Sequence, residues 1–97
     1  MTDFIYDEEC YPNVFTLAIM NASNGKKTLF EISNRRNDFA RMKSFIMKLK
    51  NGLHRMVGFN NIGYDYIVLH ELLTRGSPAM DARMLCNIAY TISQKIF

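Results

Sequence analysis

A β-hairpin in the first third of the chain is the feature that most constrains the fold. The segment VFTLAIM (14–20) is a near-continuous apolar run with β-branched residues, which is typical of a buried strand. Asn24-Gly25 follows as a strong turn signal, and TLFEIS (28–33) then alternates between two faces. The sequence therefore predicts two antiparallel strands joined by a tight turn.

Further strands flank this hairpin in the sequence. FIYDEE (4–9) is an extended apolar and aromatic run, so it predicts a third strand of the same meander. Asn37-Asp38 is a helix start and Asn51-Gly52 a helix stop, with apolar residues at helical spacing between them. HRMVGF (54–59) predicts a further buried strand. A strand, a helix and a second strand in one sheet imply parallel pairing, which can place the first strand beside this one.

Two helices complete the predicted order. Residues 65–74 repeat apolar side chains at helical spacing, and Ser77-Pro78 indicates a cap followed by proline at the first position of the last helix. That helix carries one apolar stripe, formed by Met80, Met84, Leu85, Ile88, Ile92 and Ile96. The stripe requires a partner, which is the core of this domain, a second copy of the chain in a homodimer, or another protein.

The predicted fold is therefore a single α/β domain spanning residues 1–97, in the order β-β-β-α-β-α-α. Hydrophobic residues make up 48% of the chain, which is ordinary for a globular protein. No apolar run reaches the roughly 18 residues that span a bilayer, and the N-terminus is acidic where a signal peptide is basic. We therefore expect a cytoplasmic protein with no membrane partner. Cys10 and Cys86 are expected to be reduced thiols, with Cys86 packed in a helix.

Charge is segregated along the sequence. Four of the first nine residues are acidic, and seven of the twelve Lys and Arg residues fall between Arg35 and Arg55. This pattern suits a protein that holds cations at one place and a polyanion nearby, although a solvated basic helix face explains the second cluster equally well. The candidate nucleic-acid contacts are Arg35, Arg36, Arg41, Lys43, Lys48 and Lys50.

Three acids are candidate metal ligands. Asp7 and Glu9 are two residues apart in a strand, so their side chains point to the same side and repel each other unless a cation or a proton neutralises them. Asp65 stands where a strand and a short turn lead into a helix, and it can approach them if the two strands are neighbours. Three hard oxygen ligands favour Mg²⁺ or Mn²⁺. The alternative is that acids at a strand end are simply solvated.

The stretches YDEEC (6–10) and VGFNNIGYDYIVLH (57–70) resemble the first two motifs of the DEDD family of 3′–5′ exonucleases, which have a ribonuclease H-like fold. Those motifs are D-x-E on the first strand and N-x(2–3)-[F/Y]-D entering a helix. The sequence around these motifs most resembles the N-terminal exonuclease domain of bacteriophage DNA polymerases. The resemblance covers about residues 4–75. It implies Mg²⁺- or Mn²⁺-dependent hydrolysis at the 3′ end of single-stranded DNA.

The resemblance also assigns roles to individual residues. Asp7, Glu9 and Asp65 match the first three metal-binding acids. Asn60, or Asn61 under the shorter spacing, matches the asparagine that orients the site or touches the substrate backbone. Tyr64 matches the aromatic position, where packing beneath Asp65 is the favoured interpretation. Phe59 belongs either to the core, which is favoured, or to a surface that stacks on substrate. The candidate substrate-binding residues are Phe59, Asn60, Asn61 and Tyr64.

The third exonuclease motif, Y-x-x-x-D or H-x-x-x-x-D, is absent from the sequence. The only acids after Asp65 are Glu71 and Asp81, and neither has Tyr or His at the required spacing. We therefore expect the chain to be inactive or weak alone, and a fragment of a longer polymerase whose remainder, or another protein, contacts helix 80–96. The alternative is a free-standing, non-catalytic phage protein of the host cytoplasm that binds a protein or nucleic acid, for example as an inhibitor of a host system.

Overall fold

The computed structural model describes residues 2–58 and 64–96, without the side chains of residues 64, 65 and 96. Phe59, Asn60 and Asn61 therefore lie outside the described residues. The elements follow the predicted order β-β-β-α-β-α-α. They are β1 (Asp3–Tyr11), β2 (Val14–Asn21), β3 (Lys27–Ile32), α1 (Phe39–Asn51), β4 (Arg55–Gly58), α2 (Tyr64–Arg75) and α3 (Ala82–Ile96).

The four strands form one mixed sheet in the order β3-β2-β1-β4. β1, β2 and β3 pair as an antiparallel meander, while β4 pairs parallel to β1. Gly25 in the β2–β3 turn has φ 75°, a conformation that favours glycine. The α/β class, the hairpin and the neighbouring position of β1 and β4 are confirmed.

All three helices lie against one face of the sheet. This face carries the large buried side chains of the strands, among them Phe15, Leu17 and Phe30. Burying such side chains is the main source of stability, at roughly 1.5–3 kcal/mol for each one. No helix in the described part of the chain is long and apolar enough to cross a bilayer.

The apolar stripe of α3 packs into this core. Leu85, Ala89 and Ile92 are buried, and Cys86 beside them is buried as predicted. The partner of these residues is the core of their own chain, while the side chain of Ile96 lies outside the described residues. Met84 departs from the prediction, because it is 52% exposed and lies off the packed face.

The prediction that HRMVGF forms a buried strand is wrong for its described part. β4 has four residues and pairs only with β1, so it is an edge strand. Of its side chains, only Met56 is partly buried, and Val57 is 38% exposed. An apolar run of this length has the same pattern at a sheet edge as in its centre, which explains the error.

The predicted start of the last helix at Pro78 is also wrong. Residues 77–80 form a turn instead, in which Met80 N–H donates to Ser77 C=O at 2.9 Å. The helix begins at Ala82, where the Oδ1 of Asp81 accepts the amide of Met84 at 2.9 Å. Asp81 is therefore the capping residue, a role that aspartate fills as well as serine does.

The side chains of Asn37 and Asp38 act differently at the start of α1. The helix begins at Phe39, whose amide donates to Oδ1 of Asn37 at 3.1 Å, whereas the Asp38 side chain makes no cap hydrogen bond. Instead, its Oδ2 accepts the backbone amide of Glu31 at 2.9 Å and lies 2.7 Å from Nε of Arg36. The acid that was predicted to start the helix thus ties that helix to the outer edge of the sheet.

Candidate metal site and inner groove

The two faces of β1 separate its three consecutive acids. Asp7 and Glu9 point to the face that carries no helix, and both are exposed. Glu8 points to the helix-covered face and is 7% exposed. Asp7 and Glu9 are about 6.6 Å apart along the strand, close enough for two flexible carboxylates to converge on one cation. The predicted pairing of Asp7 with Glu9 on one face is thus confirmed.

Within the described residues, β1 pairs with β4 from Asp3 to Tyr6, and Gly58 lies opposite Tyr6. Asp7 and Glu9 follow Tyr6 along β1, opposite Ala18 and Thr16 of β2. Small side chains on β2 leave the two carboxylates accessible to solvent.

Asp65 lies in the first turn of α2, the helix that follows β4. Its side chain and that of Tyr64 are outside the description, so the third ligand and the aromatic position stay predictions. Helix α2 packs mainly against α3 and buries Val68, Leu69 and Leu72 in the common core. Among the described side chains, no group of three or more His, Cys, Asp or Glu residues could hold a metal ion.

The two later acids have structural partners. Glu71 pairs with Arg75 one turn further along α2 at 3.2 Å. Asp81 caps α3 through the amide of Met84. Their positions agree with the absence of the third exonuclease motif from the sequence.

The inner side of β1 also carries a thiol. Burial, with a smaller contribution from the nearby Glu8 carboxylate, raises the pKa of Cys10 to about 11, although a hydrogen bond with Ser93 acts in the opposite direction. Burial likewise raises the pKa of Cys86, whose Sγ donates to the carbonyl of Ile32 at 3.1 Å. Both thiols are free and stay protonated at neutral pH, so neither has the thiolate character of a nucleophile.

Intramolecular pairs occupy half of the predicted basic surface. Arg35 binds Glu31 at 2.7 Å, while Arg36 and Arg41 both lie against Asp38. Arg41 also donates to the carbonyl of Leu29 at 3.0 Å. The three lysines of α1 form no ion pair within the described part of the chain. The positive charge that remains accessible is therefore on Lys43, Lys48 and Lys50.

A groove on the inner face was not predicted from the sequence. It lies between the second half of α1, β4 and α2, and its volume is about 850 Å³. Tyr66 and His70 stack on its α2 side, with ring centroids 5.7 Å apart. One signal was visible in the sequence: residues 66, 69, 70 and 73 share one face of α2, as 43, 46, 47 and 50 do on α1.

Comparison with known proteins assigns no family to the chain. No family model, no curated protein and no solved structure matches it. The similarity of YDEEC and VGFNNIGYDYIVLH to exonuclease motifs thus rests on those residues alone. The functional reading depends on the geometry described above.

Proposed function

We propose that this chain carries the first two motifs of a 3′–5′ exonuclease site of the type found in phage DNA polymerases. Asp7 and Glu9 bind Mg²⁺ or Mn²⁺, and Asp65 supplies the third carboxylate. The observation that carries the proposal is the parallel pairing of β1 with β4. This pairing brings the carboxyl end of β4, which leads to Asp65, alongside the strand that bears the other two acids.

The donor set fits a hard divalent cation. Asp7 and Glu9 offer exposed carboxylate oxygens from one face of one strand, and such oxygens suit Mg²⁺ and Mn²⁺. When bound, such ions activate a water and stabilise charge at phosphorus. The two carboxylates orient the cation, and without it they repel the phosphodiester. The sequence lacks the fourth acid and the tyrosine of the third motif, so we expect weak hydrolysis from this chain alone.

Metal binding is tested first, by a readout that does not need activity. Mn²⁺ is titrated into ¹⁵N-labelled protein, and the broadening of backbone amide signals is followed. We expect selective broadening near residues 7–9, and its loss in the double variant Asp7→Asn/Glu9→Gln. Asp3→Asn is the matched control, because Asp3 lies on the same face of β1 at its other end. Uniform broadening, or broadening that survives the double substitution, contradicts the proposed site.

Hydrolysis is tested on 3′-labelled single-stranded DNA with Mn²⁺. We expect slow release of the terminal nucleotide that Asp7→Asn and Asp65→Asn each abolish, while Asp3→Asn does not change it. Cleavage that survives Asp7→Asn overturns the assignment of the metal ligands. Metal binding without cleavage supports the site and indicates that the missing motif is essential.

A non-catalytic binding module is the second candidate function. It is favoured by the inner groove, which is open and lined by apolar side chains on the face opposite to Asp7 and Glu9. This candidate predicts no change in any activity when the acids are replaced. Its ligand is considered below.

A further inference from the structure

The groove collects apolar side chains that the fold itself does not cover. Met47 on α1 is 44% exposed, Leu53 after α1 is 79% exposed, and Tyr66 on α2 is 62% exposed. Ile46, Met56, Leu69 and Leu73 line the same space. A volume of about 850 Å³ is in the range of sites that take up a ligand or a row of side chains.

The rim of the groove is positively charged. Lys43 and Lys50 stand on the α1 side, and Arg55 stands at the start of β4. No acidic side chain lines the groove among the described side chains, which do not include that of Asp65. Arg55 is partly neutralised by Asp3 at 2.8 Å, whereas the two lysines have no ion-pair partner among the described residues. The accessible charge is thus concentrated on the α1 side.

The walls of the groove are two helix faces. Residues 43, 46, 47 and 50 recur at the spacing of one face of α1, and residues 66, 69, 70 and 73 do so on α2. α2 packs mainly against α3, and α1 packs mainly against β3, rather than against each other. Met56 and Tyr6 form the floor. An apolar channel between two helix faces is the geometry that accepts the apolar stripe of a third helix.

We propose that this groove binds an acidic amphipathic helix of a partner polypeptide. Its apolar stripe covers Met47, Tyr66 and Leu73, and its flanking carboxylates pair with Lys43 and Lys50. The basic rim is what selects an acidic helix over a basic one. This inference goes beyond the proposed metal site and does not depend on it, because Asp7 and Glu9 lie on the opposite face of the sheet.

The probe is a fluorescein-labelled 18-residue peptide with leucines at heptad a and d positions and glutamates beside them. Fluorescence anisotropy gives its Kd, and the amide shifts of ¹⁵N-labelled protein locate it. We expect saturable binding, with shifts confined to the α1, β4 and α2 residues of the groove. Affinity should fall as salt rises from 50 to 500 mM, since exposed charges are screened.

Lys50→Glu and Lys48→Glu form a matched pair of variants. Both lie in the last turn of α1 and are exposed, but only Lys50 lines the groove. Reversing Lys50 turns one attraction into a repulsion, so we expect about a fivefold loss of affinity. Lys48→Glu should leave the affinity within twofold of the original. Equal losses in the two variants would show attraction by net charge alone and would overturn the proposal.

Two control peptides separate the contribution of the apolar stripe to binding from that of the negative charge. One has the same composition with the leucines scattered, and the other has lysine in place of glutamate; neither should bind. Equal binding of either control contradicts the helix-in-groove geometry. The proposal is also overturned if light scattering shows that dimerisation of the chain causes the amide shift changes in the groove. It is overturned as well if single-stranded DNA, and not the peptide, causes those changes, or if no peptide binds up to 1 mM.

Discussion

Along the outer edge of β3, backbone groups bond to α1 and to the loop before it. Along the outer edge of β4, the described residues make no such bonds. Glu31 donates its amide to Asp38 and accepts the Asp38 amide at its carbonyl, both at 2.9 Å. The Arg55 amide donates to the carbonyl oxygen of Thr2, which precedes β1. Because successive backbone amides of a strand point to opposite sides, the amide of Met56 points away from β1. No described residue accepts it.

Packing is also tighter near the β3 side than near the β4 side. Near Phe39, the first residue of the helix that bonds to β3, Gly76 fits so closely that an added Cβ would lie 2.6 Å from the Leu72 carbonyl oxygen and 2.9 Å from Phe39. On the β4 side, about 850 Å³ is left between α1 and α2. Edges that are bonded and packed resist pairing with other chains, while open ones invite it. We therefore expect the β3 side to contribute more to stability, whereas the proposed binding groove lies on the β4 side.

Adding one methyl group at each of two glycines tests whether the two sides differ in packing. Gly76→Ala forces Cβ against a backbone carbonyl and against Leu85, and should destabilise the protein by about 1–3 kcal/mol. Gly58→Ala in β4 is the matched control, because the added Cβ would lie 3.7 Å from the Tyr6 ring, which is an ordinary van der Waals distance. Urea unfolding measures both. Similar losses would mean that the β4 side is packed as tightly as the β3 side.

A second substitution removes the hydrogen bonds that close the β3 edge. Asp38→Ala leaves the Glu31 amide without its acceptor and separates Arg36 and Arg41 from their carboxylate. Because Asp38 is largely buried and the lost bonds are charge-assisted, we expect a loss of about 2 kcal/mol. Asp38→Asn keeps one acceptor and should lose less. Urea unfolding that gives the same midpoint for all three proteins would contradict the structural role of this side chain.

The β3 side was largely predictable from the sequence, and the β4 side was not. Asn24-Gly25 and the alternation of β3 fix a hairpin by local chemistry, and both were read correctly. The role of Asp38 was missed because its partner Glu31 belongs to a different element. The exposure of β4 was missed because burial depends on what packs beside a strand, which an apolar run does not specify.

The candidate site divides in the same way. The common face of Asp7 and Glu9 follows from the two-residue period of a strand, and the position of their strand next to β4 follows from the parallel crossover. The groove depends on the relative positions of α1 and α2, which are set by packing across the whole core. Each of its two walls was visible as a helix face, but nothing local in the sequence places them opposite each other.

The smallest expected difference between the two sides concerns pH. Hydrogen bonds from Arg35 and Ser33 lower the pKa of Glu31 from 4.5 to about 2. For Asp38, partial burial is outweighed by bonds from the Glu31 amide, Arg36 and Arg41, which lower its pKa as well. A carboxyl whose pKa is lowered by folding stabilises the protein above its unfolded value, and this stabilisation is lost as pH falls through its folded value. Stability at the β3 edge should therefore decline between about pH 4.5 and pH 2.

Glu31→Gln should reduce this decline in the free energy of unfolding, because the amide side chain of glutamine does not take up a proton in this pH range. Asp3→Asn at the β4 edge is the comparison, since only Arg55 lowers the pKa of Asp3 by a side-chain hydrogen bond. Urea unfolding at intervals from pH 2 to pH 6 measures the slopes of all three proteins. We expect the slope to fall more in Glu31→Gln than in Asp3→Asn, since Glu31 accepts from Ser33 as well as from Arg35. Equal slopes in Glu31→Gln and the original chain would show that the carboxylate contributes nothing to closing this edge.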